Sequence, residues 1–370
     1  MKTLDWYAVE GVENINTPCL LVFPERIEQN IQEMLRIAGT PERLRPHVKT
    51  YKMAEVIQMQ RKHGIESFKC ATIAEAELLA STGAKDILLA MQPVGPNISR
   101  LLDLAAQYPD LRFSCLVDNP KSVKDIAQEA QNRKLNMGVF IDINNGMNRT
   151  GIVPGPEVIT LFTAITNTSS LHARGFHVYD GHLRLPDLEE RKTACELALQ
   201  PVFNVKTQLE GRGHTIELII VGGSPTFPAH AHRDAIVLSP GTVMLWDAGY
   251  GTKFPDMNFQ YAAVLVTRLV SKPRADRFCL DLGHKALASE MNFPRVEFLN
   301  TNDFEQIGQS EEHFVVAVRN PERYEIGDVF YAVPMHVCPT VAKYPEVKVV
   351  KNRKVTARWK VAARDHKITI

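Results

Sequence analysis

The sequence predicts an α/β protein built as a (β/α)8 barrel followed by an antiparallel β domain. Between residues 18 and 250, strand-like runs alternate with amphipathic segments in about eight or nine steps, which is typical of parallel βαβ units. After residue 250, strand-like runs follow one another without a strong helical pattern between them. No Gly-x-Gly-x-x-Gly motif follows the first run, which disfavours a dinucleotide-binding open sheet. We therefore assign residues 18–250 to the barrel and residues 251–370 to the β domain, joined by residues 1–17.

The barrel elements follow from local patterns. β-Branched apolar runs that end in glycine or polar residues predict strands at 19–23, 44–50, 67–72, 86–91, 112–118, 136–144, 173–179, 217–222 and 235–238. Helical periodicity predicts a helix over 24–39, where Ile27, Ile31, Met34 and Leu35 share one stripe. Further helices are predicted at 52–63, 73–81, 97–108, 120–133, 155–165 and 186–209.

The β domain is predicted from strand-like runs that turn residues separate. They lie at 261–270, 278–282, 295–299, 314–318, 329–333 and 347–350. A polar turn at 351–354 predicts a hairpin between the last of these runs and residues 355–359.

The composition excludes several classes of protein. The 370 residues include 43 basic and 42 acidic side chains, a balance that disfavours a nucleic-acid partner. No apolar run reaches the roughly 18 residues that span a bilayer, and the first residues lack the apolar stretch of a signal peptide. Six scattered cysteines without a CxxC pair are typical of buried, reduced thiols. We therefore expect a cytoplasmic protein that binds neither nucleic acid nor membrane.

Polar residues at the carboxyl ends of the predicted strands are the candidate site residues, because barrel active sites form there. Lys49 ends the 44–50 run, where desolvation and nearby cations would make its amine a nucleophile toward carbonyls. A lone lysine at such a position is more often solvated, and Lys52 is a competitor. His177 and Tyr179 share one face of a later strand, and Arg149 follows another strand, where it could donate to a ring nitrogen or a carboxylate.

Two glycine-containing loops end the last two predicted strands. Gly222, Gly223 and Ser224 follow one strand, and Gly241 with Thr242 follows the next. Free backbone N–H groups and hydroxyls at these ends predict a phosphate site, although each loop alone could be a tight turn.

His336 and Cys338 are spaced i, i+2 and would face the same way on an extended chain. Imidazole and thiolate are zinc ligands, so the pair predicts a zinc site more than a magnesium or manganese site. A packed cysteine beside a hydrogen-bonded histidine is the alternative.

Five motifs in order carry a family resemblance. They are RPHVKT at 45–50, GFHVYDGH at 175–182, GGSPT at 222–226, PGT at 240–242 and HVC at 336–338. Together they resemble the D-threonine aldolase and D-serine dehydratase family, whose members are pyridoxal-phosphate enzymes with the alanine-racemase-like fold, also called fold type III. The resemblance covers nearly the whole chain.

The resemblance implies a pyridoxal-phosphate barrel, a β domain and a homodimer with the active site near the subunit interface. It implies that Lys49 holds the cofactor covalently and that His336 and Cys338 bind a divalent metal. Zinc is the expected metal, and manganese and magnesium are the alternatives. The other residues implied to contact the cofactor are Tyr179, Gly222, Gly223, Ser224, Gly241 and Thr242. We also expect Arg149 and His177, the polar strand-end residues described above, to contact it.

The resemblance implies a lyase that acts on D-β-hydroxy amino acids. The loop at 222–228 and residues 245–247 resemble aldolases, which favours cleavage of D-threonine to glycine and acetaldehyde. In this family, the resemblance implies a His-x-Asp metal pair for aldolases and a His-x-Cys metal pair for dehydratases. Cys338 therefore favours a dehydratase that converts D-serine to pyruvate and ammonia. We expect the aldolase, with the dehydratase as the alternative.

Three other functions rank lower. The predicted metal pair argues against an amino-acid racemase, which needs no Lewis acid at Cβ. The β domain argues against a non-catalytic cofactor-binding barrel, which would lack it. A metal-dependent hydrolase would need several metal ligands on separate strands.

His47 is the first candidate for the catalytic proton carrier, because the predicted strand places it on the same face as Lys49. His177 and His182 are the next candidates.

Overall fold

The computed structural model describes residues 5–370 and divides them into two compact units. One unit holds the described residues up to 33, with 50–53 and 242–364, and the other holds 34–49, 54–241 and 365–370. Residues 1–4, the start of the segment predicted to join the β domain, lie outside the described residues. The units therefore interleave along the chain, and the main change of unit comes at 241/242, where the sequence analysis put 250/251.

The strands in chain order are β1 (Cys19–Val22), β2 (Ser67–Cys70), β3 (Asp86–Leu89), β4 (Arg112–Val117), β5 (Met137–Asp142), β6 (Leu171–Val178), β7 (Leu218–Val221), β8 (Val237–Leu238), β9 (Ala263–Arg274), β10 (Arg277–Leu280), β11 (Val296–Phe298), β12 (Phe304–Gln309), β13 (Phe314–Val318), β14 (Val329–Pro334), β15 (Glu346–Lys351) and β16 (Lys354–Lys360). The α-helices are α1 (Pro24–Ala38), α2 (Ala54–Lys62), α3 (Ile73–Ser81), α4 (Pro96–Gln107), α5 (Pro120–Asn132), α6 (Pro156–Thr166), α7 (Leu188–Glu210), α8 (Phe227–His230), α9 (Ala248–Lys253) and α10 (Val337–Val341).

The barrel unit is built on a parallel sheet in the order β2-β3-β4-β5-β6-β7-β8. Residues 44–47 pair with both edges of this sheet: Leu44 bridges to Leu238 on β8, and His47 bridges to Lys69 on β2. This segment therefore stands where an eighth strand closes the ring. Leu88, Leu116, Phe140 and Ile220 form an apolar cluster from four of the strands. The predicted (β/α)8 fold class with an antiparallel β domain is confirmed.

The helices of the barrel unit begin where side chains satisfy free backbone N–H groups. Thr72 caps α3 by accepting the N–H of Glu75, and Asn119 caps α5 by accepting that of Ser122. Each cap lies two residues after the last residue of a strand, so each strand-to-helix turn is short, and polar strand-end residues stay at one end of the sheet.

An ion-pair cluster lies on the strands of the barrel unit, away from their carboxyl ends. Asp86, the first residue of β3, accepts hydrogen bonds from Arg45 at 2.9 Å and from Arg174 at 2.9 and 2.8 Å. The Asp86 side chain is 2% exposed. Burial alone would raise the pKa of Asp86, but the two guanidinium groups outweigh it and hold the pKa below its usual range.

The second unit is a sheet in the order β12-β13-β10-β9-β1-β15-β16, with β14 paired to β9 and to β11. The prediction that residues 19–23 form the first barrel strand is wrong, because β1 runs antiparallel to β9 and parallel to β15. Strand pattern alone does not reveal a pairing partner so distant in sequence. The hairpin of β15 and β16 around 351–354 matches the prediction.

Two further differences concern the ends of elements. The predicted strand 44–50 is extended only to residue 47, because Val48–Thr50 form a 3₁₀ turn. The C-terminal residues 365–370 belong to the barrel unit, where Thr369 donates its backbone N–H to Glu77 at 2.9 Å. Within residues 5–370, no helix combines the length and apolar character that crossing a bilayer requires.

Candidate active site

Lys49 lies in the 3₁₀ turn Val48–Thr50, directly after the segment that closes the barrel sheet. The Lys49 side chain is partly exposed, whereas His47 is 8% exposed. His47 Nδ1 accepts the backbone N–H of Lys49 at 3.3 Å. His47 therefore stabilises the turn that presents Lys49, and the shared strand face that made it the first proton carrier does not exist.

A second lysine, which the sequence analysis missed, lies at the same end of the barrel. Lys69 is the third residue of β2 and is 2% exposed. Its Nζ is 3.4 Å from Nε2 of His177 on β6, and Nδ1 of His177 is 2.7 Å from Oδ1 of Asp142 on β5. The other oxygen of Asp142 accepts the side-chain amide of Gln92 at 2.9 Å. A carboxylate on β5, an imidazole on the adjacent β6 and an amine on β2 thus form one chain of contacts.

Three cationic side chains surround the ring of Tyr179. Arg149 Cζ is 4.9 Å from the ring centroid, Lys69 Nζ is 5.7 Å away and Lys49 Nζ is 5.9 Å away. The structure therefore brings together Lys49, Arg149 and Tyr179, three of the predicted site residues. Cations gathered around one aromatic face favour binding of an anion.

Burial and like charge perturb the titrating groups of this cluster. Burial, with the nearby charge of Lys49, lowers the pKa of Lys69 to about 7. Burial and the charge of Lys69 also lower the pKa of His177. Burial would raise the pKa of Asp142, but the hydrogen bond from His177 outweighs burial and keeps that pKa low. At neutral pH the pair is a carboxylate bound to a neutral imidazole.

The first predicted phosphate loop follows β7 and is buried. Gly222 has a φ of +82°, which glycine adopts without strain, and its N–H donates to the carbonyl of Val178 at 3.1 Å. A Cβ at Gly223 would lie 3.0 Å from Cε2 of Tyr179. Gly222 is therefore favoured by its backbone conformation, and Gly223 by the close approach of its backbone to the ring.

The second loop follows β8 and joins the first. The N–H of Gly241 donates to Oγ of Ser224 at 3.1 Å, and a Cβ at Gly241 would lie 3.0 Å from the carbonyl oxygen of His47. The Gly223 N–H donates to Oγ1 of Thr226 at 3.0 Å. The N–H groups of Gly222, Gly223 and Gly241 are thus already engaged within the protein, and the glycines at 223 and 241 let the loops pack closely against Tyr179 and His47.

Behind the first loop lies a buried polar cluster that the sequence analysis also missed. Asp180 is 1% exposed and accepts Oγ1–H of Thr226 at 2.6 Å through one oxygen. Its other oxygen is 2.7 Å from Nε2 of His230 and 3.9 Å from Sγ of Cys195. Asp180, Cys195 and His230 place their ligand atoms within 4.8 Å of one another, a set whose atom types could hold a metal ion. The hydrogen bonds already account for both carboxylate oxygens.

The predicted metal pair lies in the other unit, after β14. The prediction of an extended His336-Val337-Cys338 segment is wrong, because His336 is the extended residue before α10 and Cys338 lies within that helix. The two side chains nevertheless form a hydrogen bond, and His336 Nδ1 is 2.6 Å from Oε1 of Glu290. Burial opposes the charged imidazole, but Cys338, Glu290 and Asp247 outweigh it and raise the pKa of His336 to about 9.

Two hydroxyl groups of the same unit contact the Cys338 sulfur. Sγ lies 3.1 Å from Oγ1 of Thr50 and 3.6 Å from Oγ1 of Thr242. The backbone N–H of Val337 donates to Asp247 at 3.1 Å, which fixes the start of α10. In sequence, Thr50 follows Lys49 and Thr242 follows Gly241. Thr242, predicted to contact a phosphate, therefore contacts the predicted metal ligand.

Two family descriptions match the chain. Residues 22–248 match "Alanine racemase, N-terminal domain", and residues 262–350 match "Putative serine dehydratase domain". The chain belongs to the alanine racemase N-terminal domain family. The predicted resemblance is confirmed.

Similar proteins match over nearly their full length. A 3-hydroxy-D-aspartate aldolase of Paracoccus denitrificans is 27% identical, with 96% of this chain and 95% of that protein covered. The solved D-threonine aldolase of Filomicrobium marinum has a TM-score of 0.89 at 24% identity, covering 96% of this chain and 98% of that one. The solved D-threo-3-hydroxyaspartate dehydratase of Delftia sp. HT23 has a TM-score of 0.83 at 21% identity, covering 94% and 98%.

These relatives confirm the predicted class, a pyridoxal-phosphate-dependent lyase related to enzymes of D-β-hydroxy amino acids. The roles of the individual site residues stay predictions. Lys69 was missed although its signal was readable, because a lysine between Phe68 and Cys70 is a charge inside an otherwise apolar strand. The contacts of Asp180 with Thr226 and His230 leave no comparable sequence signal, because 46 and 50 positions separate the partners.

Proposed function

We propose that this chain is a pyridoxal-phosphate-dependent lyase that cleaves D-β-hydroxy amino acids, with D-threonine giving glycine and acetaldehyde. The observation that carries the proposal is the set of three basic side chains, those of Lys49, Lys69 and Arg149, around Tyr179. An anionic cofactor joined to an amino acid brings several negative charges, which such a site would stabilise. The end-to-end similarity to an aldolase of 3-hydroxy-D-aspartate supports the choice of reaction.

The glycine loops fit the phosphate of the proposed cofactor. Cβ atoms at Gly223 and Gly241 would lie 3.0 Å from Tyr179 and from the His47 carbonyl oxygen, so both loops pack directly beside the ring and the segment that precedes Lys49. Buried hydroxyls in the loops add donors. The residues proposed to surround the phosphate are Gly222, Gly223, Ser224, Gly241 and Thr242.

Lys49 is the proposed attachment point, because its amine faces the Tyr179 ring from a turn that His47 stabilises. When bound, the cofactor supplies an electron sink for the bond that breaks at the substrate Cα. Tyr179 would pack against the cofactor, and Arg149, an exposed guanidinium, would bind the substrate carboxylate in a bidentate manner. The hydrogen bond with Asp142 orients the His177 imidazole, which would line the polar side of the site. A catalytic role for His47 stays a prediction. Its Nε2 atom would carry the proton, because Nδ1 accepts the backbone N–H of Lys49.

His336 and Cys338 are the proposed metal ligands, and zinc is the proposed metal, with manganese and magnesium as alternatives. The residues fit a metal, because Nδ1 of His336 contacts the carboxylate of Glu290. Histidines that bind a metal through one ring nitrogen commonly bond a carboxylate through the other. The metal would act as a Lewis acid toward a substrate oxygen.

A dehydratase is the second candidate, acting on D-serine to give pyruvate and ammonia. The observation that favours it is the His-x-Cys spacing of His336 and Cys338. The related D-threo-3-hydroxyaspartate dehydratase has been solved as a cysteine-to-alanine mutant in a metal-free form and as a histidine-to-alanine mutant. The two mutated positions of that protein are also two apart.

Product analysis separates the two reactions. The purified protein is supplied with pyridoxal phosphate and zinc and incubated with D-threonine, 3-hydroxy-D-aspartate and D-serine, with the L-isomers as controls. Glycine with an aldehyde product supports the aldolase, whereas a keto acid with ammonia supports the dehydratase. Racemised substrate, or no turnover of any D-β-hydroxy amino acid, would contradict both.

We further propose a small-molecule D-amino acid as the substrate, a homodimer as the working form and the cytoplasm as the compartment. The cysteines support a reducing compartment, since all six are free and five of them are buried. Light scattering of the loaded protein tests the dimer.

A further inference from the structure

In the function proposed so far, Lys69 contributes only as one of the basic side chains around Tyr179. It lies inside β2 and is 2% exposed. Burial of a lysine amine away from water is costly unless polar groups receive it. Its Nζ lies 3.4 Å from Nε2 of His177, and the Tyr179 ring centroid is 5.7 Å away. The amine therefore lies between a histidine and the ring against which we place the cofactor.

The contacts of His177 fix which atom carries a proton. A carboxylate only accepts, so the 2.7 Å contact with Asp142 places the hydrogen on Nδ1 of His177. The neutral ring then accepts through Nε2, which faces Lys69. Both ring nitrogens are engaged, so the imidazole cannot take a proton from a ligand directly. The amine at the end of the chain can.

The charges around Lys69 allow the amine to change protonation near neutral pH. Burial is the largest influence and lowers its pKa to about 7. The charged and titratable groups that face the amine are Lys49 and Arg149, which oppose its charge, Asp142 and Asp180, which favour it, and His177 and Tyr179.

We propose that Lys69 is a catalytic residue that takes the β-hydroxyl proton of the bound substrate and returns it to Cα, with His177 and Asp142 as its positioning residues. The inference rests on the proposed aldol cleavage. The O–H bond breaks as Nζ gains the proton, the Cβ–O bond becomes a carbonyl, and the Cα–Cβ bond breaks with its electron pair going to Cα. The proton on Nζ then forms the new C–H bond of glycine, so no further reactant is needed.

Two substitutions test this role in the cofactor-loaded enzyme. Lys69→Met removes the amine, and Lys69→Arg keeps a positive charge that does not release a proton at these pH values. We expect kcat for cleavage to fall by about 10²- to 10⁴-fold in both variants. In the wild type, kcat/KM rises with pH as Lys69 loses its proton, and we expect both variants to lose this limb. Lys121→Met, on an exposed face of α5, is the matched control.

A nuclear magnetic resonance titration gives a readout that does not depend on turnover. With ¹³C at lysine Cε, the loaded wild type should show one resonance that titrates well below the exposed lysines. That resonance should be absent in Lys69→Met, and its midpoint should move in His177→Gln. Borohydride reduction followed by peptide mass spectrometry should attach the cofactor to Lys49 in the wild type and in both Lys69 variants.

The outcomes separate this inference from the proposed function. Wild-type cleavage with an equally fast Lys69→Arg variant, or a Lys69 resonance that titrates with the exposed lysines, overturns the role of Lys69 and leaves the lyase standing. A wild type that neither attaches the cofactor to Lys49 nor cleaves substrate overturns the proposed function itself. If Lys69→Met does not fold, Lys69→Arg and the wild-type titration decide.

Discussion

Substituting Asp180 by asparagine tests whether the buried cluster behind the first glycine loop holds that loop in place. Asp180 receives Oγ1–H of Thr226 at 2.6 Å and faces Nε2 of His230 at 2.7 Å, and all three side chains are at most 1% exposed. Thr226 in turn accepts the N–H of Gly223 at 3.0 Å. The contacts thus run from a carboxylate to the backbone that we expect to bind phosphate.

The magnitude follows from the two hydrogen bonds to a charged group. Each such bond contributes about 1.5–3 kcal/mol, and the amide of Asp180→Asn can replace one acceptor but not both. We therefore expect the free energy of unfolding to fall by about 1.5–3 kcal/mol. Because Thr226 loses the charged acceptor that orients its hydroxyl group, and with it the oxygen that accepts the Gly223 N–H, we also expect cofactor affinity to fall about tenfold, or ~1.4 kcal/mol.

The assay combines urea denaturation with titration of the cofactor. Asp125→Asn is the control, since Asp125 pairs with Lys121 on an exposed surface and should cost at most about 1 kcal/mol. The double variant of Asp180→Asn with Thr226→Val measures coupling, which we expect to reach at least ~1 kcal/mol for groups in direct contact. Unchanged stability and affinity in Asp180→Asn, or additive effects in the double variant, would refute the reasoning.

Three further predictions concern the lysine, the metal and the barrel. Lys49→Ala should lose the absorbance of the lysine-bound cofactor at about 420 nm, whereas Lys52→Ala should keep it; the reverse would show that the wrong lysine was chosen. Chelation, or Cys338→Ala, should abolish turnover and leave that absorbance intact, and full activity in chelator would argue against the metal. Asp86→Ala should lower the free energy of unfolding by about 3–5 kcal/mol, because two buried arginines lose their carboxylate. Since the pKa of Asp86 is lower in the folded state, its contribution to stability is complete above the unfolded pKa of about 3.9 and is lost as the pH falls from there through the folded pKa. In urea denaturation along a pH series, the stability of the wild type should approach that of the variant only on acidification.

The first strand shows how far local pattern could go. Residues 19–23 read as a strand, and β1 is one, but the pattern does not reveal which sheet the strand joins. β1 pairs with β9, more than two hundred positions later, and with β15. Because pairing depends on backbone hydrogen bonds, which every residue offers alike, side-chain pattern leaves the partner open.

The site residues divide in a similar way. The glycine loops and Lys49 could be proposed from sequence only because five motifs occur in order, since each loop alone could be a tight turn and a lone lysine is more often solvated. The His336–Cys338 pair was also readable, although its extended geometry was wrong, since a helix begins at Val337. Imidazole and thiol still meet there, because the turn into α10 brings the two side chains together.

The sequence by itself determined the alternation of strands and helices, the change to an antiparallel β domain and the chemical types at the strand ends. These depend on local periodicity and on residue chemistry, which a single chain displays directly. Only the tertiary structure decided that Lys69, His177 and Asp142 form one chain of contacts and that Asp180 holds Thr226 behind the glycine loop. Those contacts join side chains from separate strands and loops, and the closure of the barrel sets their distances.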